Sequence, residues 1–172
     1  MPFNIYLANL TGGNDDLIIA TQGILQNYFT QCANATHTLG GVRVITGNSV
    51  TFTRKDLLCY IVNSFSNSVV NRWASGIQPS SGNTACDAAS KTSATEVYID
   101  RTVGDAERAR LLANLIFHEF MHNKQCADND TVHDNGGLGT TPVNASTPLT
   151  AANITFMRSY LGSNVTQWEG GF

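Results

Sequence analysis

Two histidines and a glutamate have the spacing needed to hold a metal ion and to activate a water molecule on it. The segment reads His118-Glu119-Phe120-Met121-His122. Residues four apart on a helix project from the same face, so the two histidines can share one ion while the glutamate lies beside the water bound to that ion. We predict that His118 and His122 are metal ligands and that Glu119 is a general base.

The surrounding sequence predicts the helix that would carry these residues. The pattern begins at Gly104-Asp105 and continues to about Cys126, with apolar residues nearly all round, as in a buried central helix. Both histidines lie on the same side of this helix as Leu115. Burial of three ionisable groups costs several kcal/mol unless they are paired or bound to a metal. A metal site is therefore favoured over an ordinary core helix.

The five-residue segment resembles the HExxH motif of the zincin metallopeptidases, and the resemblance covers roughly residues 95–134. It implies a Zn²⁺ ion, hydrolysis of peptide bonds by a metal-activated water, and Glu119 as the base. It also implies a zincin-like fold, in which an edge strand before the motif helix binds extended substrate. Glu96–Asp100 matches that strand by position alone.

A catalytic zinc site needs a third protein ligand and an open position for water. In the metzincin branch of the zincins the last ligand would fall at Asp128, but Gln125 stands where that branch has the glycine that lets the chain leave the helix. We therefore predict His133 as the third ligand, with Asp128 as the alternative. The other carboxylates considered are Asp130, Asp134 and Glu169.

The sequence leaves open which residues support the metal site from outside the ligand set. Asp134 either orients the His133 ring or caps a loop, and Met157 is expected to be a core residue rather than part of a Met-turn. An oxyanion-stabilising donor is also expected. The sequence does not choose among its candidates, which are Tyr160, Asn135 and Lys124.

The remaining pattern predicts an α+β fold of zincin type, with a small mixed sheet, about four helices and the metal-binding helix at the centre. We expect a single domain over residues 1–172. The predicted strands are residues 3–8, 42–46, 49–52 and 96–100, the second and third forming a hairpin. The predicted helices run from Asn14 or Asp15 to Cys32, over 57–73 after a capping box at Thr53 and Asp56, over 104–126 and over 150–161. Residues 75–94 and 128–148 are predicted loops.

The four cysteines, Cys32, Cys59, Cys86 and Cys126, allow three pairings if all are oxidised. No two of them form a CxxC pair, which argues against a four-cysteine zinc site. Cys86 falls in a predicted loop that can carry a disulfide. Burial as free thiols is the alternative.

The amino-acid composition limits the classes of binding partner and the cellular location that we expect. The net charge is −3 and 13% of the residues are charged, so the basic surface of a nucleic-acid-binding protein is missing. No apolar run approaches the roughly 20 residues that cross a bilayer. The 17 Asn and 19 Thr together outnumber the 23 charged residues, which favours an exported protein. The first residues have no basic or apolar leader region, so we expect export by a route other than Sec, with a cytoplasmic location as the alternative.

The expected partner is a peptide or protein substrate, with a peptidoglycan peptide as one candidate, and the expected state is a monomer. Two alternatives remain open at this level. One is a secreted bacterial effector or toxin that cleaves cell-wall peptides. The other is a zinc-binding module without catalysis, against which Glu119 argues, because a structural site needs no base beside the metal.

Overall fold

The computed structural model has a six-stranded, mainly parallel sheet with helices packed against it. It describes residues 2–47, 49–74, 77–124, 126 and 129–172, and only the backbone of residues 129 and 130. The strands are β1 (Phe3–Asn9), β2 (Leu39–Ile45), β3 (Leu57–Val62), β4 (Gly82–Asp87), β5 (Thr92–Tyr98) and β6 (Thr166–Gln167). The described helices are α1 (Asp15–Cys32), α2 (Val70–Trp73), α3 (Asp105–Asn123), α4 (Asn129–His133) and α5 (Ala151–Tyr160). Two 3₁₀ turns lie at Phe65–Asn67 and Gly137–Gly139.

The strand order is β2-β1-β3-β5-β4, and four of these strands are parallel. β4 is antiparallel to β5 and lies at the end of the order. β6 runs parallel to the beginning of β5, where Ser93 lies opposite Gln167. The expectation of a mixed sheet combined with helices is therefore confirmed.

The two long helices, α1 and α3, pack on one face of the sheet and on each other. Phe117 of α3 lies between Tyr28 and Phe29 of α1, with ring centroids 6.0 and 5.3 Å away. Burial of each such side chain stabilises the fold by about 1.5–3 kcal/mol. A second apolar cluster covers the opposite face and includes Tyr60 and Trp168. α3 is buried on most of its surface, as predicted, because both the sheet and α1 contact it.

The long helix predicted over residues 57–73 is wrong. Leu57–Val62 is the central strand β3, every residue of which is buried, and only the Phe65–Asn67 turn and the short helix α2 follow it. A parallel strand covered on both faces has a continuous apolar run that periodicity alone does not distinguish from a buried helix. The capping pair does interact, since the Thr53 backbone N donates to Asp56 Oδ2 at 2.7 Å, but this turn leads into a strand.

Two further strand predictions need correction. Residues 42–45 of the predicted strand 42–46 belong to β2, which pairs with β1 in parallel, while the described residues of 49–52 form no strand. The Gly47-Asn48 turn of the predicted hairpin includes residue 48, which lies outside the described residues. The segment 96–100 is not an edge strand, because β5 lies between β3 and β4. The edge strand is β4, within residues predicted to be a loop; its polar sequence, Gly-Asn-Thr-Ala-Cys-Asp, has little β propensity.

Candidate metal centre

Three histidines converge at the carboxyl-terminal half of α3. His118 and His122 lie one helical turn apart with their Nε2 atoms 3.3 Å from each other. His133, at the end of α4, brings its ring to 5.6 Å from that of His118 and 5.1 Å from that of His122. One ligand atom from each residue lies within 4.8 Å of the others. This group, formed by the three residues predicted as ligands, His118, His122 and His133, could hold a metal ion.

The backbone fixes the orientation of the first histidine. His118 Nδ1 lies 2.7 Å from the carbonyl oxygen of Leu138. A carbonyl only accepts hydrogen bonds, so Nδ1 carries the hydrogen and Nε2 presents its lone pair to the other two rings. Leu138 is held in turn by Asn153 of α5, whose Oδ1 accepts a hydrogen bond from the Leu138 backbone N at 2.8 Å. A partner of this kind is typical of histidines that bind metals.

The buried environment keeps His118 and His122 neutral. Burial lowers the pKa of His118, with a smaller lowering from His133. The pKa of His122 is lowered to about 4 by burial first and then by the charges that His118 and His133 would carry. At neutral pH both rings therefore offer lone pairs without competition from protons.

Glu119 lines the same cavity as the three histidines and has only 7% of its surface exposed. Burial raises its pKa to about 7; the hydrogen bond from Thr84 opposes this shift and the charge of Glu96 adds to it. Thr84 Oγ1 lies 2.8 Å from Glu119 Oε2. A Cβ atom at Gly82 would lie 3.0 Å from Glu119 Oε1, so a larger residue at this position of β4 would displace the carboxylate by a few tenths of an ångström.

The cavity has a volume of about 400 Å³ and lies between α3, β4 and the segment that follows the Gly137–Gly139 turn. One wall is thus a sheet edge and the other is a loop. Besides the four ionisable residues, it is lined by Ser80, Ser81, Gly82, Asn83, Thr84, Leu115, Thr141, Pro142 and Val143.

Comparison of the chain with protein-family models, curated proteins and solved structures finds no match. The residues and their geometry alone therefore carry every functional inference.

Among the described residues, no helix combines the length and apolar character needed to cross a membrane.

Of the other candidate ligands, two lie outside this group and two fall outside the described side chains. Asp128, the alternative third ligand, lies outside the described residues, as does the side chain of Asp130. Asp134 and Glu169 are exposed and do not belong to the metal-binding group found among the described residues. Met157 is fully buried in the core, as expected.

None of the three candidate oxyanion donors lines the cavity. Lys124 is buried and its Nζ donates to the carbonyl oxygens of Arg54 and Val165 at 2.7 and 2.9 Å. Asn135 Oδ1 accepts a hydrogen bond from Asn153. Tyr160 packs against Phe156, with ring centroids 4.9 Å apart.

The sequence reasoning missed the residues that support the site from outside α3. Gly82 and Thr84 lie in a segment whose composition indicates a loop, and no local signal distinguishes them. Asn153 was detectable in part, because Thr150 and Asn153 have the spacing of a capping box and form one at the start of α5.

A disulfide between Cys86 and Cys126 joins β4 to the residues that follow α3. The two cysteines are 40 residues apart and the bond links one wall of the cavity to the segment between His122 and His133. Cys32 and Cys59 are free and buried. The sequence left open whether any of the four cysteines is oxidised and how they pair, and Cys86 lies in strand β4 rather than in a loop.

Proposed function

We propose that this chain is a zinc-dependent peptidase of zincin type, with His118, His122 and His133 as the zinc ligands and Glu119 as the general base. The observation that carries the proposal is that the buried carboxylate of Glu119 lines the same cavity as the three histidines that could hold a metal ion. A structural metal site has no use for a carboxylate buried beside its ligands, whereas metal-assisted hydrolysis uses such a group as the base.

The ligand set fits zinc. Imidazole nitrogen binds zinc at about 2.0–2.1 Å, and two such nitrogens at a tetrahedral angle lie about 3.3 Å apart. The Nε2 atoms of His118 and His122 have that separation. Three histidines also leave one tetrahedral position open, which is the arrangement of catalytic rather than structural zinc sites.

Zinc held there would supply a water molecule with a lowered pKa as the nucleophile and would polarise the substrate carbonyl. Glu119 performs the proton transfers. As a buried carboxylate in the same cavity as the three histidines, it would take a proton from the attacking water and then give it to the leaving amine.

An extended peptide is the substrate that suits the cavity walls. Within the described residues β4 pairs with β5 alone, so the backbone groups along its other edge are available to a peptide in extended conformation. This edge runs past Glu119, since Gly82 and Thr84 both adjoin its side chain. Cell-wall peptides are one candidate within this class.

The Cys86–Cys126 disulfide supports a site of action outside the reducing cytoplasm, because disulfides persist in oxidising compartments. We therefore propose a secreted enzyme. A zinc-binding module without catalysis is the competing function, and it predicts bound zinc but no hydrolysis.

The test combines metal analysis with hydrolysis assays on the purified, disulfide-bonded chain. We expect one zinc per chain and cleavage of fluorescently labelled casein or of peptidoglycan stem peptides. A chelator should stop the cleavage and added zinc should restore it. Glu119→Gln should keep the zinc and lower kcat by about 100-fold to 10,000-fold, because it removes the base but not a ligand.

His133→Ala should lose the zinc, whereas His37→Ala is the matched control and should retain both zinc and activity. His37 contacts Gly162 and lies outside the metal-binding group. A parent protein that binds no zinc, or a Glu119→Gln variant as active as the parent, would contradict the proposal.

A further inference from the structure

Behind the cavity, a chain of hydrogen bonds joins the backbone of β3 to the carboxylate of Glu119. It begins at the Leu58 backbone N, which lies 3.2 Å from Gln167 Oε1. It continues from Gln167 Nε2 to Asn123 Oδ1 at 3.0 Å and from Asn123 Nδ2 to Thr95 Oγ1 at 2.7 Å. Thr95 and Thr84 are the last two members of the chain, and we call these four side chains, Gln167, Asn123, Thr95 and Thr84, the relay.

The first member of the relay fixes the orientation of its two amides. A backbone N–H only donates, so the Gln167 atom that faces Leu58 must be its carbonyl oxygen, and its amide nitrogen then faces Asn123. Asn123 must accept there with its oxygen, which turns its own amide nitrogen toward Thr95. The orientation of both amides is therefore fixed by the backbone.

The two hydroxyl groups are oriented by the acceptor at the other end, the carboxylate of Glu119. Thr95 Oγ1 already accepts from Asn123, and its hydrogen is free to point to Thr84 Oγ1, 3.1 Å away. Thr84 then accepts from Thr95 and has its single hydrogen left for Glu119, whose Oε2 lies at 2.8 Å and whose backbone oxygen lies at 2.9 Å. An ionised carboxylate is the stronger acceptor of the two.

Burial makes this directionality effective. Thr95 and Asn123 have no exposed surface and Gln167 has 3%, so the polar atoms of these three side chains are shielded from water that could replace their partners. Reversal of either amide would leave a buried donor facing a donor, which costs more than the bond itself contributes. The hydroxyl pair keeps its direction because the ionised carboxylate of Glu119 takes the hydrogen of Thr84.

We propose that Thr84 is a positioning residue for Glu119, and that the relay from Gln167 through Asn123 and Thr95 makes it donate to Oε2. Within the described residues no hydrogen bond reaches the other oxygen, Oε1, which lies on the Gly82 side of the cavity. One carboxylate oxygen is thus held by the protein and the other is left for the proton transfer. This inference rests on the proposed role of Glu119 as the base.

The test uses Thr84→Val, which removes the hydroxyl and keeps the shape, in the full zinc-loaded chain with labelled casein as substrate. We expect kcat to fall by about 10-fold to 100-fold, with KM changed less than twofold and zinc content unchanged, because only the base is displaced. Thr84→Ser should restore kcat to within about threefold. Thr92→Val, on the neighbouring strand and outside the relay, is the matched control and should match the parent.

A double-mutant cycle separates the relay from simple packing. Thr95→Val should lower kcat less than Thr84→Val does, and the double variant should be no slower than Thr84→Val alone, because both changes act through one hydrogen bond. Multiplicative losses, or a Thr84→Ser variant as slow as Thr84→Val, would overturn the proposal.

Crystal structures of the zinc-loaded parent and of Thr84→Val supply a readout that does not need activity. The Glu119 carboxylate should turn away from residue 84 in the variant and keep its place in Thr84→Ser. An unchanged carboxylate overturns the positioning role even if casein is cleaved. A displaced carboxylate in a chain whose parent cleaves no casein refutes the peptidase and leaves the positioning role standing.

Discussion

Glu119 combines a buried position with a single strong hydrogen bond, and these two features act on its pKa in opposite directions. Burial disfavours the charged form, whereas donation by Thr84 favours it. The result is a carboxyl group that changes protonation near neutral pH. The pKa values of its neighbours His118 and His122 are lowered instead, so both rings stay neutral at neutral pH.

These shifts predict how the metal-free protein responds to pH. The pKa of Glu119 is about 7 in the folded chain and near its usual 4.5 when unfolded, so between these values the folded state binds more protons and loses stability as pH rises. Glu119→Gln has no such group. Its free energy of unfolding relative to the parent should therefore grow from pH 4.5 to pH 7, by up to about 3 kcal/mol, and stay level above that.

Urea denaturation of both metal-free proteins across this pH range measures the difference. His122 titrates in both proteins, so its contribution cancels from the comparison. A stability difference that does not vary with pH would show that Glu119 has an ordinary pKa.

At the residue scale the sequence predicted the group of three histidines that could hold a metal ion, but not the residues that support this group. His118, Glu119 and His122 have fixed spacing on one helix. Gln125 stands in place of the metzincin glycine, and for that reason the sequence favoured His133, which is the third member of the group. Thr84 and Leu138 contact the site through long-range packing, 35 and 20 residues from their partners. No local pattern encodes contacts of that kind.

Among the elements, the segment after α4 depends on one side chain of α5. The four hydrogen-bonding positions of the Asn153 amide are all used: Oδ1 accepts from the backbone N of Leu138 and of Thr150, and Nδ2 donates to Asn135 Oδ1 and to the Gly136 carbonyl. Leu138 then presents its carbonyl to His118. α5 therefore stabilises the metal centre although it contributes no ligand.

Asn153→Ala should lower the free energy of unfolding by about 2–4 kcal/mol, because it leaves buried backbone groups without partners. It should also weaken zinc binding by about tenfold, since the orientation of His118 depends on Leu138. Chemical denaturation and zinc titration measure the two effects. The exposed Asn164→Ala is the control, and equal stability of the two variants would contradict this role of Asn153.

Helices with one apolar face were predicted correctly, whereas the strand β3, which is covered on both faces, was predicted as a helix. α1 and α5 have clear periodicity and well-defined starts, and both are found within a residue or two of the predicted bounds. β3 is buried on both faces, and the short elements that follow it extended its apolar run into an apparent helical repeat. β4 was missed for the opposite reason, since an edge strand on a polar cavity has no apolar face to detect.

For the molecule as a whole, the disulfide and the two free cysteines make different predictions. Cys32 and Cys59 have no exposed surface, so the native protein should not react with a thiol reagent. In denaturant without reductant two thiols per chain should react, and four should react after reduction. Reduction of the Cys86–Cys126 bond should lower the free energy of unfolding by about 3–4 kcal/mol, the value expected for residues 40 apart.

Thiol counting under the three conditions and denaturation with and without reductant check both statements. Four reactive thiols in denaturant alone would exclude the disulfide. A thiol that reacts in the native protein would show that one of the two free cysteines is accessible.

The relay and the metal ligands differ greatly in how far apart their members lie along the chain. The three histidines fall within residues 118–133, whereas the Leu58 to Gln167 bond closes 109 residues. Loop closure over short distances costs less entropy and occurs earlier in folding. We therefore expect a folding chain to become able to bind zinc before β6 docks. Zinc binding and the completion of the relay are then separate events in time. The second is completed by a strand that contributes no metal ligand.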